Sequence, residues 1–120
     1  MANIAVVDDS QASIDMIVNI LQGANHTVTA YTKSPDVEKS IAANKPDLIL
    51  LDVVMPERNG YEVLRALRKD NTIKDIPVVL VSSKSETTDV RWGLRQGASA
   101  YITKPFTPEA ILSTVGEQLT

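Results

Sequence analysis

A chain of 120 residues suits one domain and leaves no room for two. The absence of cysteine excludes disulfides, thiolate metal sites and cysteine nucleophiles, and a net charge of -3 argues against a nucleic-acid surface or a polybasic membrane patch. No apolar run approaches the roughly 18 residues of a membrane span, and Met1-Ala2-Asn3 lacks the basic start of a signal peptide; the cytoplasm is the expected location.

Ile4-Ala5-Val6-Val7 predicts a short strand buried on both faces, ending on Asp8-Asp9-Ser10. Ser10 can cap the helix that follows, whose inward stripe is Ile14, Ile17, Val18 and Leu21 and whose stop is Gly23. Thr27-Val28-Thr29-Ala30-Tyr31 is β-branched and mildly alternating, a second strand. Ser34-Pro35-Asp36 predicts a helix start with proline in the first turn, where its missing N–H costs nothing. That helix turns Val37 and Ile41 inward and ends before Pro46. Leu48-Ile49-Leu50-Leu51 is a third strand, running straight into Asp52 and stopped by Pro56.

A loop through Glu57-Arg58-Asn59-Gly60 leads to a helix marked by Val63, Leu64 and Leu67, with Arg65, Arg68 and Lys69 outside. Pro77 introduces Val78-Val79-Leu80-Val81, a fourth buried strand ending on Ser82-Ser83. A helix carrying Val90 and Leu94 inward stops at Gly97. Ala100-Tyr101-Ile102-Thr103 is a fifth strand, running into Lys104-Pro105. Thr107-Pro108-Glu109 caps a last helix whose inner face is Ile111, Leu112, Val115 and Leu119.

Five strand patterns alternating with five helical ones predict an α/β fold with a parallel sheet and helices on both faces. In such sheets ligands bind beyond the carboxyl ends of the strands. Asp8 and Asp9, Asp52, Ser82 and Ser83, and Lys104 end four of the five strands, so all should meet on one edge. Three carboxylates held together repel one another, and magnesium prefers such oxygens and commonly joins them to a phosphate. The Ser82 hydroxyl and the Lys104 ammonium suit phosphoryl oxygens. A carboxylate can also be the nucleophile, forming an acyl phosphate, and Asp52 is the best candidate. Taken singly, Asp8-Asp9 reads as a solvated turn, Ser82 as a helix cap, Lys104 as surface charge and Asp52 as a loop anchor. Their joint occurrence at four strand ends favours chemistry.

With these residues in this order, the chain resembles a response-regulator receiver domain of the CheY-like type over essentially its whole length, 1–120. The resemblance rests on Asp8-Asp9, Asp52-Val53-Val54-Met55-Pro56-Glu57-Arg58-Asn59-Gly60, Ser82 and Tyr101-Ile102-Thr103-Lys104-Pro105. It implies a flavodoxin-like, doubly wound sheet of five strands in the order 2-1-3-4-5 with five helices. It also implies that Asp52 accepts a phosphoryl group from a sensor histidine kinase. Asp9 and Asp52 would ligate magnesium with the backbone carbonyl of Val54, Asp8 acting mainly through water. Ser82 and Lys104 would contact the phosphoryl oxygens, and the Lys104-Pro105 bond would be cis.

In such domains the hydroxyl at the Ser82 position moves toward the phosphoryl group and the aromatic at Tyr101 turns inward, remodelling a partner face. Serine stands where threonine is commoner and lacks its methyl group, which leaves the coupling to Tyr101 open. Trp92 lies two residues from both Val90 and Leu94, so helical spacing points it away from their stripe and marks it as an interface anchor; packing against a neighbouring helix is the alternative. The string Trp92-Gly93-Leu94-Arg95-Gln96-Gly97-Ala98 is also similar to stand-alone receivers of twitching-motility (type IV pilus) systems. Lys84 and Val54 would flank the path of the hydrolytic water. His26, without metal or catalytic partners, reads as a surface turn.

The leading reading is a magnesium-dependent phospho-acceptor switch, monomeric or weakly dimeric, whose output comes from binding another protein, since the chain ends just after its last helix. A small magnesium-dependent phosphotransferase or phosphatase with an aspartyl nucleophile is the second reading, weakened because Val54 stands where such an enzyme has its second acid. A constitutive binding module with a vestigial site is the third, and the complete acidic set opposes it.

Overall fold

Continuous aliphatic strands bury both faces only when helices cover both, and the chain supplies five helices to do so. The computed structural model describes residues 2–33 and 35–120. In chain order the elements are β1 (Asn3–Val7), α1 (Gln11–Gly23), β2 (Thr27–Tyr31), α2 (Val37–Asn44), β3 (Leu48–Leu51), α3 (Gly60–Lys69), β4 (Val78–Ser82), α4 (Thr87–Arg95), β5 (Ala100–Thr103) and α5 (Pro108–Gln118). The strands form one parallel sheet in the order β2-β1-β3-β4-β5. This is the flavodoxin-like order, with the sheet's direction reversing between β1 and β3.

The two-residue period of a strand divides each aliphatic run between two cores. Ala5, Val7, Ile49, Leu51, Val78 and Leu80 face one side, where Val37 and Ile41 of α2 and Val63, Leu64 and Leu67 of α3 cover them. Ile4, Val6, Leu48, Leu50, Val79 and Val81 face the other, beneath Ile14, Ile17 and Leu21 of α1 and Ile111 and Val115 of α5. Every one of these side chains is at least 97% removed from solvent. The sheet is therefore clamped on both faces, and its strand ends are a rigid place to mount polar groups.

Several local expectations are corrected. The stop of α1 at Gly23 is as expected, but the left-handed turn that follows is made by Asn25 (φ 69). Pro35 precedes α2 instead of lying in its first turn, because Asp36 is the N-cap, at φ 58, and helical geometry starts at Val37. Ser34, read as part of that helix start, lies outside the described residues. Leu94 and Leu112 point outward, 44% and 37% exposed. At α4 the inward position belongs to Gly93, since the side chains of Leu80 and Tyr101 already fill the space a Cβ there would need. Arg68 is half-buried, its guanidinium donating to the carbonyls of Gly97, Lys74 and Ile76 at 2.7–3.1 Å. Ile73, in the α3–β4 connection, is a core residue that the sequence pattern did not single out.

Candidate functional site, an acidic cluster at the strand ends

Pairing in the sheet carries each site residue to the same edge. The Asp52 amide donates to Val7 O at 2.9 Å, extending the β1–β3 ladder by one residue, so Asp8 and Asp52 emerge side by side. The Lys104 amide donates to Ser82 O at 2.8 Å, which does the same for β4 and β5. Asp8 then turns the chain: its Oδ1 accepts from the Ser10 amide at 2.9 Å, and Ser10 Oγ accepts from the Ser13 amide to cap α1. Beyond Asp52 the loop closes through the Gly60 amide, 2.8 Å from Val53 O. A Cβ at Gly60 would lie 2.1 Å from the carbonyl oxygen of Asp52, so only glycine permits this approach. The Lys104-Pro105 peptide bond is cis.

Carboxylate oxygens of Asp8, Asp9 and Asp52 all lie within 4.8 Å of one another. Asp8 and Asp52 are buried, 2% and 6% exposed, whereas Asp9 is open to solvent. Lys104 Nζ pairs with Asp8 Oδ2 at 2.8 Å, sits 3.8 Å from Asp52 Oδ2 and donates to Ser13 Oγ at 3.2 Å. Three carboxylates against one ammonium leave two negative charges uncompensated in this cluster. Burial, followed by the charge of Asp8, pushes the Asp52 carboxyl up to about 6; Lys104 and the amides of Val54 and Val53 pull it down without prevailing. Hard oxygen donors with two unbalanced charges suit a hard dication, so the residues present fit magnesium.

Ser82 is fully buried, and its Oγ accepts from the Lys84 amide at 3.2 Å. Lys84 O in turn accepts from the Tyr101 hydroxyl at 2.7 Å, so Ser82, Lys84 and Tyr101 form one connected path away from the cluster. The Tyr101 ring lies half-buried against Gly93, and burial raises its phenol above the ordinary range. Val54 exposes its side chain, 50% accessible, in the loop two residues past Asp52. In the same loop Glu57 takes φ 68, the Arg58 amide donates to Pro56 O at 2.7 Å, and the Arg58 side chain is ion-paired to Glu38 of α2.

Trp92 is half exposed, although not for the reason given by the Val90–Leu94 stripe, because Leu94 is itself outward. It also meets a neighbouring helix: Tyr61 of α3 contacts its ring edge-on, with centroids 6.4 Å apart. His26 lies away from the cluster, its Nδ1 accepting from the Ala2 amide at 3.1 Å. Three residues have roles here that sequence reasoning did not give them, although Gly60 and Gly93 lie in stretches it quoted. Ser13 touches Lys104, Gly60 allows the loop to close, and Gly93 makes room for Tyr101. Ser13 had a signal one turn beyond the Ser10 cap, and Gly60 one as a loop residue; Gly93 had none.

No helix among the described residues is long and apolar enough to cross a membrane. The response regulator receiver domain family matches residues 4–116. The chain is similar to the protein PilH of Pseudomonas aeruginosa, 39% identical across 99% of this chain and 98% of PilH. It is 34% identical to the DNA-binding response regulator MtrA of Mycobacterium tuberculosis over 97% of its own length, and spans 50% of MtrA. Its backbone matches the solved chemotaxis protein CheY4 of Vibrio cholerae with a TM-score of 0.92, at 28% identity and 99% coverage of both chains. The strand order, the acidic edge and these matches agree, and the chain belongs to the response regulator receiver domains, the phospho-acceptor signalling modules of two-component systems.

Proposed function

We propose that Asp52 is the phospho-acceptor of a magnesium-dependent switch that acts in the cytoplasm and takes its phosphoryl group from a sensor histidine kinase. The observation that carries this reading is the cluster itself: Asp52 is buried beside Asp8, Asp9 and Lys104 at the carboxyl edge of the sheet. An Asp52 oxygen attacks phosphorus, the P–N bond of phosphohistidine breaks, and the departing imidazole keeps the electron pair and gains a proton. Lys104, already 3.8 Å from Asp52 Oδ2, supplies fixed positive charge to the phosphoryl oxygens. Ser82 keeps its bond from the Lys84 amide while its own proton turns toward a phosphoryl oxygen. Asp8, Asp9, Asp52 and the Val54 carbonyl would hold the metal, which supplies charge neutralisation when bound. These groups would also promote the domain's own phosphorylation from small donors and its later hydrolysis, with Lys84 and Val54 beside the path of the attacking water.

The Ser82–Lys84–Tyr101 path supports a readout in which Ser82 shifts toward the phosphoryl group and Tyr101 turns inward, remodelling a face for a downstream protein that includes Tyr101 and Trp92. The similarity to PilH favours a pilus or chemotaxis setting. The test is uptake of phosphate from acetyl phosphate with and without magnesium, read on phosphate-affinity gels. The parent chain should be labelled only with magnesium and Asp52→Asn not at all; labelling of Asp52→Asn at the parent rate would sink the assignment.

A further inference from the structure

Away from the carboxylate edge, α4 presents an unusual outward side. Thr88, Arg91, Trp92 and Arg95 share one helix face and line a shallow cleft of about 280 Å³. Trp92 is 50% exposed there, held edge-on by Tyr61. Arg65 stands one turn further along α3 and donates to Gln96 Oε1 at 3.3 Å, bringing a third guanidinium to the same region. Among the described residues no ion pair involves Arg65, Arg91 or Arg95, whereas Arg58 and Lys104 each have a carboxylate. Arg91 and Arg95, four residues apart on one face, also repel each other, which costs the helix stability. A chain of net charge -3 thus sets two cations without an ion pair beside its sole tryptophan and a third nearby, with Asp89 the acid whose charge reaches Tyr61. A wet tryptophan flanked by two guanidinium groups has the composition of an interface anchor.

We propose that this side of α4 docks an acidic amphipathic segment of a partner protein. An apolar side chain seats on Trp92, and carboxylates about one helical turn apart meet Arg91 and Arg95. A protein segment is favoured over nucleic acid because Glu86 and Asp89, at the start of the same helix, interrupt the positive surface. A continuous phosphate backbone would run into them, whereas separate carboxylates need not. The proposal deepens the reading of the chain as a switch that signals through a bound protein, and rests on it.

The test titrates the full chain with a short synthetic peptide whose glutamates, four residues apart, flank a leucine, and follows Trp92 emission. A saturable change is expected, with affinity about tenfold or more weaker in high salt, for the Glu→Gln peptide, and in Arg91→Ala or Arg95→Ala. Lys33→Ala and Lys39→Ala, which remove exposed cations elsewhere, should bind as the parent does. Circular dichroism checks that all variants keep the fold. No saturable binding, equal binding of the glutamine peptide, equal losses in the lysine variants, or tighter binding of a single-stranded oligonucleotide each overturns the proposal. Phosphate uptake by the parent chain separates the two readings: its failure would overturn the switch and leave this peptide binding unchanged, whereas absence of peptide binding overturns the docking proposal alone.

Discussion

Replacing Asp52 with asparagine removes a charge from a buried, crowded position while keeping the shape of the side chain. The Asp52 carboxyl is raised from its ordinary 3.8 to about 6. At about 1.4 kcal/mol per tenfold change in proton affinity, that difference is worth roughly 3 kcal/mol. Because the folded carboxyl holds its proton more tightly than the unfolded one, folding suffers from this group above about pH 6 and suffers less as pH falls toward 3.8. In magnesium-free buffer at neutral to slightly alkaline pH, Asp52→Asn should therefore be more stable than the parent by roughly 2–3 kcal/mol. For a chain of this length that is a rise in Tm of about 8–12 °C. By the same linkage the advantage should fall to roughly half near pH 5. Thermal unfolding followed by circular dichroism with a chelator present, at several pH values, measures both effects. A variant no more stable than the parent at neutral pH, or one whose advantage grows on acidification, would refute the account of the cluster as an electrostatic burden.

Other outcomes follow from the same geometry. Magnesium should raise the Tm of the parent and do little for Asp52→Asn, while Asp9→Asn, which alters the exposed carboxylate of the proposed site, should weaken the metal's effect about tenfold or more with little change in chelator. Lys104→Met leaves Asp8 buried without its cation and should destabilise by roughly 3 kcal/mol; adding Asp8→Asn should restore most of that loss, measured by urea unfolding. Gly60→Ala places a methyl 2.1 Å from the Asp52 carbonyl oxygen, so a loss of roughly 3 kcal/mol or more is expected, with weaker magnesium binding as the loop shifts. Gly93→Ala drives a Cβ to 2.7 Å from Leu80 and 3.1 Å from the Tyr101 ring; a cost of about 1–2 kcal/mol should accompany release of the Tyr101 hydroxyl from Lys84, visible in near-ultraviolet circular dichroism.

The legible parts of this chain were those where one physical signal dominates. Val78-Val79-Leu80-Val81 and Leu48-Ile49-Leu50-Leu51 read as central strands because only a doubly covered strand tolerates aliphatic residues on both faces. Asp8, Asp52, Ser82 and Lys104 were found because the topology of parallel sheets names the edge where ligands bind. Helix rotation was less legible. Leu94 looked inward because two apolar residues four apart suggest a stripe, yet the space beneath α4 was already taken by Tyr101 from a distant strand, and glycine alone fits there. The half-buried seat of Arg68 depends on three carbonyls outside its own helix, none of which a local pattern reveals. Gly60 likewise looked like a turn residue, and its close approach to Asp52 exists only once the loop has folded back.

The Lys104–Asp8 ion pair joins residues 96 positions apart, and β5, which leads into Lys104, is an edge strand held only by β4 within the sheet. Competence of the cluster is thus an assay of completeness. A growing chain has the cluster's three acids long before it has their countercharge. Edge elements open at lower free energy than central ones, so fraying of β5 in the finished protein would part Lys104 from Asp8 while most of the sheet persists.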